Sequence, residues 1–265
     1  SLTMQKIKLY QLDAFSDKVF SGNPAAVCLM DKWPERNIMQ DIAAENNLSE
    51  TAFVIQKNNK YEIRWFTPAV EVDLCGHATL AASFVLFNET GNPDNEISFQ
   101  TQKMGVLKTF RREEMYFLNF PSDTPTPYPD IEEISQCLHL RPLEVFKGRS
   151  DIMAVLKSEN EVRDLVPDLS EISLLKARGL MVTAQGTQAD FVSRFFAPQS
   201  GIIEDPVTGS AHTTLIPYWA KVLNKNNLFA SQLSKRGGAL QCVFSGDRCL
   251  IGGNVTLYLK GEIYV

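Results

Sequence analysis

Residues 64–82 read RWFTPAVEVDLCGHATLAA, and residues 194–215 read RFFAPQSGIIEDPVTGSAHTTL. Both stretches begin with an arginine and aromatic residues, pass through an acidic segment, and reach a glycine that opens an apolar run. The opening motif recurs after 130 residues, and the two glycines, Gly76 and Gly209, are 133 residues apart. A third pair of short matches downstream keeps the offset of 133. Three matches in order predict two copies of one unit, the alternative being coincidence among similar strands.

The apolar runs decide the interpretation of each copy. Residues 77–87 and 210–223 are apolar on nearly every face, which predicts buried helices wrapped by the strands around them. Pro217 lies inside the second of these helices and is expected to kink it or to remove one backbone hydrogen bond. Another helix is predicted over residues 36–46, and a strand over residues 27–30. The sequence therefore predicts an α+β protein with two similar domains and a cleft between them.

The domain boundaries follow from the proline content. Residues 121–129 contain four prolines, which is typical of a linker. We predict domains at residues 4–122 and 130–255, and we leave open whether the C-terminal strand, residues 256–265, joins the first domain. His139 follows the linker and is expected to be a partly buried histidine on a helix face. Ser1-Leu2-Thr3 precede a methionine and are interpreted as an expression remnant.

Composition excludes several classes of function. The 265 residues carry a net charge of −5 without a basic cluster, so we expect no nucleic-acid partner. No apolar run reaches the length of about 18 residues that a membrane span needs, and the N-terminus lacks the order of a signal peptide. The five cysteines include no C-x-x-C pair, and no nucleotide-binding glycine motif occurs. We therefore expect a cytoplasmic protein, and the common metal, nucleotide and NAD chemistries have little support in the sequence.

Each buried helix is predicted to start at a glycine. The first N–H groups of a helix have no partner within it, and together with the helix dipole they form an anion site. Gly76 and Gly209 would then bring two such sites to a small carboxylate; the alternative is that they only permit tight turns. A buried acid and a histidine across a cleft are suited to general acid–base catalysis, and the starts carry several polar residues: Asp73, Cys75 and His77 in the first half, and Glu204, Asp205, Thr208, Ser210 and His212 in the second.

The residues that precede the two glycines differ. Cys75 and Thr208 occupy matching positions. A racemase that uses two thiols as bases needs a cysteine at both, and an unactivated threonine hydroxyl is a poor base. The pattern therefore argues against proton transfer from two opposite faces. The role of His212, four residues after Thr208, stays open.

Two further segments carry polar residues next to apolar strands. Glu50 directly precedes an apolar strand, where it is either a surface residue or directed into the cleft. Gly22-Asn23-Pro24 has the composition of a turn, and its role stays open.

Several motifs together resemble the phenazine-biosynthesis PhzF-like family. They are, in the family's order, residues 13–15 (DAF), 22–24 (GNP), 47–54, 75–79 (CGHAT) and 205–210. The resemblance covers the chain from about residue 6 to its end. It implies a fold similar to diaminopimelate epimerase and the proline racemases, in which each of two pseudo-symmetric domains is a curved, mostly antiparallel sheet or barrel around a central helix. It also implies a homodimer.

The resemblance further implies an isomerase that uses neither metal nor cofactor. The founding enzyme of the family moves a proton along a conjugated cyclohexadiene amino acid, and its catalytic glutamate falls on Glu50. His77 and Asp205 match catalytic positions that bind polar substituents. Ser210 matches the position that binds the carboxylate with the helix-start amides, and Gly209 permits its close approach. Cys75 and Gly76 complete the expected substrate-binding set.

We therefore expect a cofactor-independent isomerase of a small, amino-acid-like carboxylate, in which Glu50 shuttles the proton. Such a shuttle needs a carboxyl group whose basicity is increased by an apolar environment. The first alternative is a racemase, epimerase or dehydratase that uses Cys75 as its base. The second is a binding protein without catalytic activity on the same scaffold. The sequence names no physiological substrate.

Overall fold

The computed structural model describes residues 4–58 and 60–265, so Ser1-Leu2-Thr3 lie outside the described residues. The chain packs as two compact units. The first runs to Asn119 and includes Gly252–Val265, and the second is Phe120–Ile251. The domain boundaries predicted from the sequence, at residues 122, 130 and 255, remain a prediction. No helix among the described residues has both the length and the apolar character that crossing a bilayer requires.

Strands account for most of the regular structure. In chain order they are β1 (Lys6–Ala14), β2 (Asn23–Met30), β3 (Glu50–Lys57), β4 (Lys60–Phe66), β5 (Glu71–Val72), β6 (Glu96–Gln100), β7 (Val106–Arg112), β8 (Met115–Pro121), β9 (Thr126–Pro127), β10 (Glu144–Lys147), β11 (Asp151–Val155), β12 (Gly179–Gln185), β13 (Phe191–Ala197), β14 (Ile202–Asp205), β15 (Asn227–Gln232), β16 (Gly238–Ser245), β17 (Arg248–Gly253) and β18 (Val255–Tyr264). The α+β class predicted from the sequence is confirmed.

Helices are few and mostly short. They are α1 (Arg36–Asn46), α2 (Gly76–Asn88), α3 (Ile131–Leu138), α4 (Glu159–Asp164), α5 (Leu169–Ser173) and α6 (His212–Leu223), with a 3₁₀ turn at Pro198–Ser200. The predicted bounds of α1 agree with the structure, and those of α2 agree within one residue. Helix α2 is buried along almost its whole length and packs against β1, β2 and β3. It is the central helix that its apolar sequence predicts.

The strand pairings repeat between the units. In the first unit the order is β18-β1-β2-β3-β4-β6-β7-β8, with parallel pairs at β2–β3 and β4–β6 and antiparallel pairs elsewhere. In the second it is β9-β10-β11-β12-β13-β15-β16, with parallel pairs at β11–β12 and β13–β15. The parallel pairs occupy corresponding positions, so the internal repeat holds at the level of topology.

Each unit has its own apolar core. In the first, Met39 and Ile42 of α1 pack with Phe53 and Phe66 of β3 and β4. In the second, α3, α4 and α5 cover a sheet face through residues such as Ile134. Burial of apolar surface against both faces of a sheet is the main stabilising contribution in such layered units.

The start of α6 differs from the prediction. The sequence predicted a helix from residue 210, whereas α6 begins at His212. The amides of His212 and Thr213 donate to the carbonyls of Gly209 and Ser210, three residues back, so the preceding turn is tighter than an α-helix. Gly209 and Ser210 therefore lie in a turn before α6, whereas Gly76 is the first residue of α2.

Pro217 lies inside α6, and its missing N–H has a visible consequence. A residue at position 217 would normally donate to the carbonyl of Thr213. That carbonyl instead accepts a hydrogen bond of 2.9 Å from the Asp123 amide. The Asp123 carboxylate in turn accepts from the Thr214 hydroxyl and from the Arg149 amide. The proline thus leaves the Thr213 carbonyl free to accept a hydrogen bond from outside α6, and this bond connects the segment after β8 to the helix.

The expectation for His139 was wrong. It is the residue that follows α3, in the left-handed conformation with φ of 55°. Its side chain is 65% exposed and lies 3.5 Å from the Asp168 carboxylate. Leu138, one position earlier, takes the buried place that the sequence assigned to the histidine.

Candidate functional site

Glu50 is the first residue of β3 and lies opposite Ala25 of β2 in a parallel pair. Asn47 ends α1 in the left-handed conformation, and the chain turns there directly into the strand. Strand β3 is buried over its first six residues, and Glu50, as the first of them, is buried too. Only 11% of the Glu50 side chain is exposed. The surface alternative for Glu50 is therefore wrong.

Cys75 and His77 lie at the start of α2. Cys75 is the extended residue that precedes the helix, and Gly76 is its first residue. The Cys75 sulfur lies 3.3 Å from His77 Nδ1. On the other side of the ring, His77 Nε2 lies 3.3 Å from Glu50 Oε2. The imidazole thus stands between a thiol and a carboxylate, and all three side chains are buried.

The protonation state of His77 follows from its burial. Desolvation lowers the pKa of His77 to about 4, and a hydrogen bond to the Pro24 backbone only partly opposes this effect. The ring is therefore neutral at pH 7, and its contact with Glu50 is not an ion pair. A neutral imidazole places no positive charge beside the Glu50 carboxyl group, and it can exchange a hydrogen bond with that group.

The Gly22-Asn23-Pro24 segment supports His77 from β2. Gly22 has φ of 70°, and a Cβ atom there would meet the Ala14 carbonyl oxygen at 2.2 Å, so only glycine fits. Asn23 begins β2, four residues before the strand predicted at residue 27. Proline is tolerated near the start of this strand. Its backbone carbonyl is the group that contacts the imidazole, which gives this segment a role in the site.

Asp205 and Thr208 form a second polar group in the second unit. The Thr208 hydroxyl donates a hydrogen bond of 2.6 Å to Asp205 Oδ2. This hydroxyl is therefore already committed to a carboxylate. Its position matches that of Cys75, so the thiol of the first half corresponds to a hydrogen-bond donor in the second.

Gln232 holds the segment between these two residues, and sequence reasoning missed it. Its Oε1 accepts from the Thr208 amide at 2.8 Å, and its Nε2 donates to the Asp205 carbonyl at 3.0 Å and to the Thr208 hydroxyl at 3.2 Å. Its side chain is almost fully buried at the end of β15. The repeat carries no signal for it: Gln232 lies opposite Gly238, and the matching glycine of the first half, Gly105, lies opposite another polar residue, Thr101.

His212 lies one turn beyond Thr208 and is fully buried. Its Nδ1 donates to the Thr208 carbonyl at 2.8 Å, and its ring lies against Phe191. Desolvation lowers the pKa of His212 to about 4, so this ring is neutral as well. Within the described residues Nε2 has no hydrogen-bond partner. Its ring thus supports the turn around Gly209, which is buried, and Ser210, which is partly exposed.

The structure thus places the predicted residues in two groups, one in each unit. Ligand atoms of Glu50, Cys75 and His77 lie within 4.8 Å of one another, and these side chains are of types that can bind metal ions. Asp205 and Ser210 belong to the second group. Of the other cysteines, Cys28 is enclosed in the first core, and burial raises its pKa to about 12, so it stays a thiol. Cys75 differs from Cys28 in having an imidazole nitrogen beside its sulfur.

Comparisons with known proteins agree with this arrangement. The model of the phenazine biosynthesis-like protein family, PhzC-PhzF, matches residues 12–261. A Pseudomonas aeruginosa protein named an uncharacterized isomerase is 48% identical over 97% of this chain and 98% of its own. The crystal structure of a PhzF-family protein from Enterococcus faecalis superposes with a TM-score of 0.95 at 46% identity, covering 98% of this chain and 100% of that one.

More distant structures share the fold alone. A hydroxyproline epimerase from Agrobacterium vitis has a TM-score of 0.66 at 9% identity, covering 98% of this chain and 93% of that one. The two-domain epimerase-like fold expected from the sequence is thereby confirmed. From the family match over nearly its whole length and from the close relatives, the chain belongs to the phenazine biosynthesis-like PhzC-PhzF family.

Proposed function

We propose that this protein is an isomerase that moves a proton between two carbons of a small, amino-acid-like carboxylate without a cofactor. The observation that carries the proposal is the buried Glu50 carboxylate, 3.3 Å from a neutral imidazole. The names of the bacterial relatives as isomerases support the reaction class. The substrate is assigned only by its chemical class, a small, amino-acid-like carboxylate.

Glu50 is the proton shuttle in this proposal. Its carboxylate takes a proton from one carbon of the substrate and returns it to another carbon on the same face. General acid–base catalysis of this kind needs a base whose charge is not neutralised by a cation, and the neutral state of His77 satisfies this requirement. His77 then donates a hydrogen bond to a polar substituent of the substrate or positions the carboxylate.

The substrate-binding roles fall on the remaining residues. We propose that Asp205 binds a polar substituent, that Ser210 and the Gly209 amide bind a carboxylate, and that the Gly76 amide offers an anion site at the start of α2. The Gly76 amide belongs to the first turn of α2 and so has no partner inside the helix. The turn before α6 leaves the corresponding amide of Gly209 outside the helical hydrogen bonds as well.

A second candidate function rests on the contact between Cys75 and His77. A thiol 3.3 Å from an imidazole nitrogen can transfer its proton to that ring, and the resulting thiolate is a base or a nucleophile. This arrangement would suit a racemase, epimerase or dehydratase that acts from one face of the substrate. The hydrogen bond from Thr208 to Asp205 leaves the second half without a matching base.

Deuterium exchange from D₂O into a panel of cyclic and linear amino acids separates these functions. We expect the unmodified protein to exchange substrate hydrogen. Glu50→Gln should slow the exchange by about 10²- to 10⁴-fold, the usual contribution of a general acid or base. Cys75→Ser should retain it.

Matched controls are available in the same unit. Glu45 is exposed on α1, and Glu45→Gln should leave exchange unchanged. Cys28→Ala removes a buried thiol away from the site. Exchange that survives in Glu50→Gln and is lost in Cys75→Ser would establish the second function. An unmodified protein that exchanges no hydrogen with any member of the panel would favour a binding protein on this scaffold.

A further inference from the structure

The side chains of Glu50, Cys75 and His77 form a set that proton transfer does not fully use. A carboxylate shuttle requires the glutamate and a polar neighbour, but it does not require a thiol. Here a sulfur, an imidazole and a carboxylate are buried together, with their ligand atoms within 4.8 Å of one another. Thiolate, imidazole and carboxylate are the three types of zinc ligand in proteins.

The distances suit a tetrahedral ion. With Zn–S of about 2.3 Å and Zn–N of about 2.0–2.1 Å, neighbouring ligand atoms lie about 3.4–3.6 Å apart. Cys75 Sγ and His77 Nδ1 are already 3.3 Å apart. Glu50 Oε2 lies beside the other nitrogen of the same ring, at 3.3 Å. The carboxylate must rotate toward Nδ1 to reach an ion bound there, and ligand atoms of the three residues already lie within 4.8 Å of one another.

Local structure holds two of the three ligands in place. Cys75 and His77 are separated by Gly76 at the start of α2, so both side chains are fixed by one helix turn. The imidazole is further held by its hydrogen bond to the Pro24 backbone. Backbone carbonyls commonly play this outer role for histidines that bind metals, because they fix the orientation of the ring.

We propose that this cluster is an inhibitory zinc site, with Cys75, His77 and Glu50 as ligands and a fourth position open to water or a substrate carboxylate. Coordination replaces the thiol proton of Cys75 by the ion, and that proton leaves to solvent. The soft sulfur and the imidazole select Zn²⁺ or Co²⁺ over Mg²⁺ and Ca²⁺, which prefer oxygen ligands. The bound ion occupies the lone pairs of Glu50, so proton transfer stops.

The consequence for activity rests on the proposed function, whereas binding of the ion does not. Binding is therefore measured first and without substrate. Metal-stripped protein is titrated with Co²⁺, whose coordination by a thiolate produces a charge-transfer band in the near ultraviolet. We expect this band to saturate at one ion per chain and to disappear when Zn²⁺ is added, since zinc binds such sites more tightly.

Variants assign the ligands. Cys75→Ser and Cys75→Ala should abolish the charge-transfer band. Glu50→Gln and His77→Gln should each raise the dissociation constant for Co²⁺ by more than the 10- to 100-fold typical of losing an outer-shell partner. Two controls remove the same side-chain types elsewhere. Cys28→Ala deletes a buried thiol of the first core, and His139→Gln deletes the exposed histidine beside Asp168. Both should leave the titration unchanged.

A measurement on the unmodified chain protects this test against variants that fail to fold. X-ray absorption of the zinc-loaded protein should show one sulfur ligand at about 2.3 Å and nitrogen or oxygen ligands at about 2.0–2.2 Å. A first shell without sulfur would overturn the assignment. The same holds for a charge-transfer band that persists in a folded Cys75 variant.

Exchange of substrate hydrogen in D₂O then separates the two proposals. With EDTA present, exchange by the unmodified protein tests the shuttle alone, and added Zn²⁺ should suppress this exchange. A protein that binds Co²⁺ at this cluster but exchanges no hydrogen in EDTA would retain the metal site and refute the isomerase. Exchange in EDTA without any thiolate band, or exchange that zinc at saturation leaves unchanged, would refute the inhibitory site and retain the isomerase.

Discussion

Arg64 pairs with Glu71 in the first half, and Arg194 pairs with Glu204 in the second, each through two hydrogen bonds. Each guanidinium also lies over the ring of an aromatic residue of its own strand, Phe66 or Phe196. The two halves thus keep the same structural pair 130 residues apart, although the segment between arginine and glutamate is three residues longer in the second.

The residues around the two glycines differ. The first half has Cys75 and His77, beside the buried Glu50, whereas the matching positions of the second half hold Thr208 and Ser210. Thr208 is hydrogen-bonded to Asp205 and clamped by Gln232. The two halves thus share a framework, the arginine–glutamate pair, whereas the polar side chains at their helix starts are of different types.

The largest expected effect concerns the conserved framework. Arg194 also donates through Nη1 to three carbonyls at the end of α4, including that of Leu165 at 2.8 Å. In the first half, Glu71 has a second cation, Arg36, at 2.9 Å. Breaking a fully buried ion pair costs about 3–5 kcal/mol of unfolding free energy, and these pairs are partly buried, with 12–22% of their side chains exposed. We therefore expect both losses near the lower end of this range, with the larger loss for Arg194→Met.

Urea unfolding at pH 7 measures both values. Arg141→Met is the matched control, because Arg141 and its partner Glu132 are exposed and such pairs contribute little. If Arg64→Met and Arg194→Met lost no more stability than this control, the paired arginines would not be part of a shared framework.

The next effect separates His212 from Thr79, its match in the first half. Both side chains donate to the carbonyl of the residue before the glycine, but only the histidine titrates. The pKa of His212 is about 4 in the folded protein and 6.5 when unfolded. Below pH 6.5 this side chain therefore binds a proton more readily in the unfolded chain than in the folded protein. As the pH is lowered to 4, the free energy of unfolding decreases by up to about 3 kcal/mol.

His212→Thr would make this position of the second half like the first. Buried His77 has the same shift and contributes a loss of the same sign. We therefore expect the decrease in unfolding free energy between pH 7.5 and pH 4.5 to be about half as large in His212→Thr as in the unmodified protein. An unchanged decrease in His212→Thr would contradict the assignment.

The smallest expected effect concerns Gln232. Gln232→Leu places an apolar residue where both halves have a polar one, since the strand pairings match Gln232 with Thr101. It leaves the buried Thr208 amide and the Asp205 carbonyl without their partner, and we expect a loss of about 2 kcal/mol. If Gln232 positions Asp205 for substrate, KM should rise about tenfold while kcat changes much less, since a misplaced binding group weakens orientation. A loss of stability with unchanged KM would show a structural role alone.

Sequence patterns predicted α1 and α2 closely, but misplaced the starts of β2 and α6. The bounds of α1 and α2 followed from periodicity, because an apolar stripe or an all-apolar helix is encoded by neighbouring residues. Strand β2 begins earlier than predicted because Asn23 and Pro24 resemble a turn locally, and only pairing with β1 holds them extended. The start of α6 differed because its first turn is tightened by hydrogen bonds that no propensity encodes.

The sequence by itself determined the repeat, the two buried helices and the residue types at their starts, since all of these are local or compare one stretch with another. It did not determine that Glu50 is buried beside His77, 27 positions further along the chain, or that Gln232 clamps Thr208. The tertiary structure decided these contacts. Strand register and helix packing are long-range choices made by burying apolar surface, and they bring together polar groups whose spacing in the sequence carries no signal.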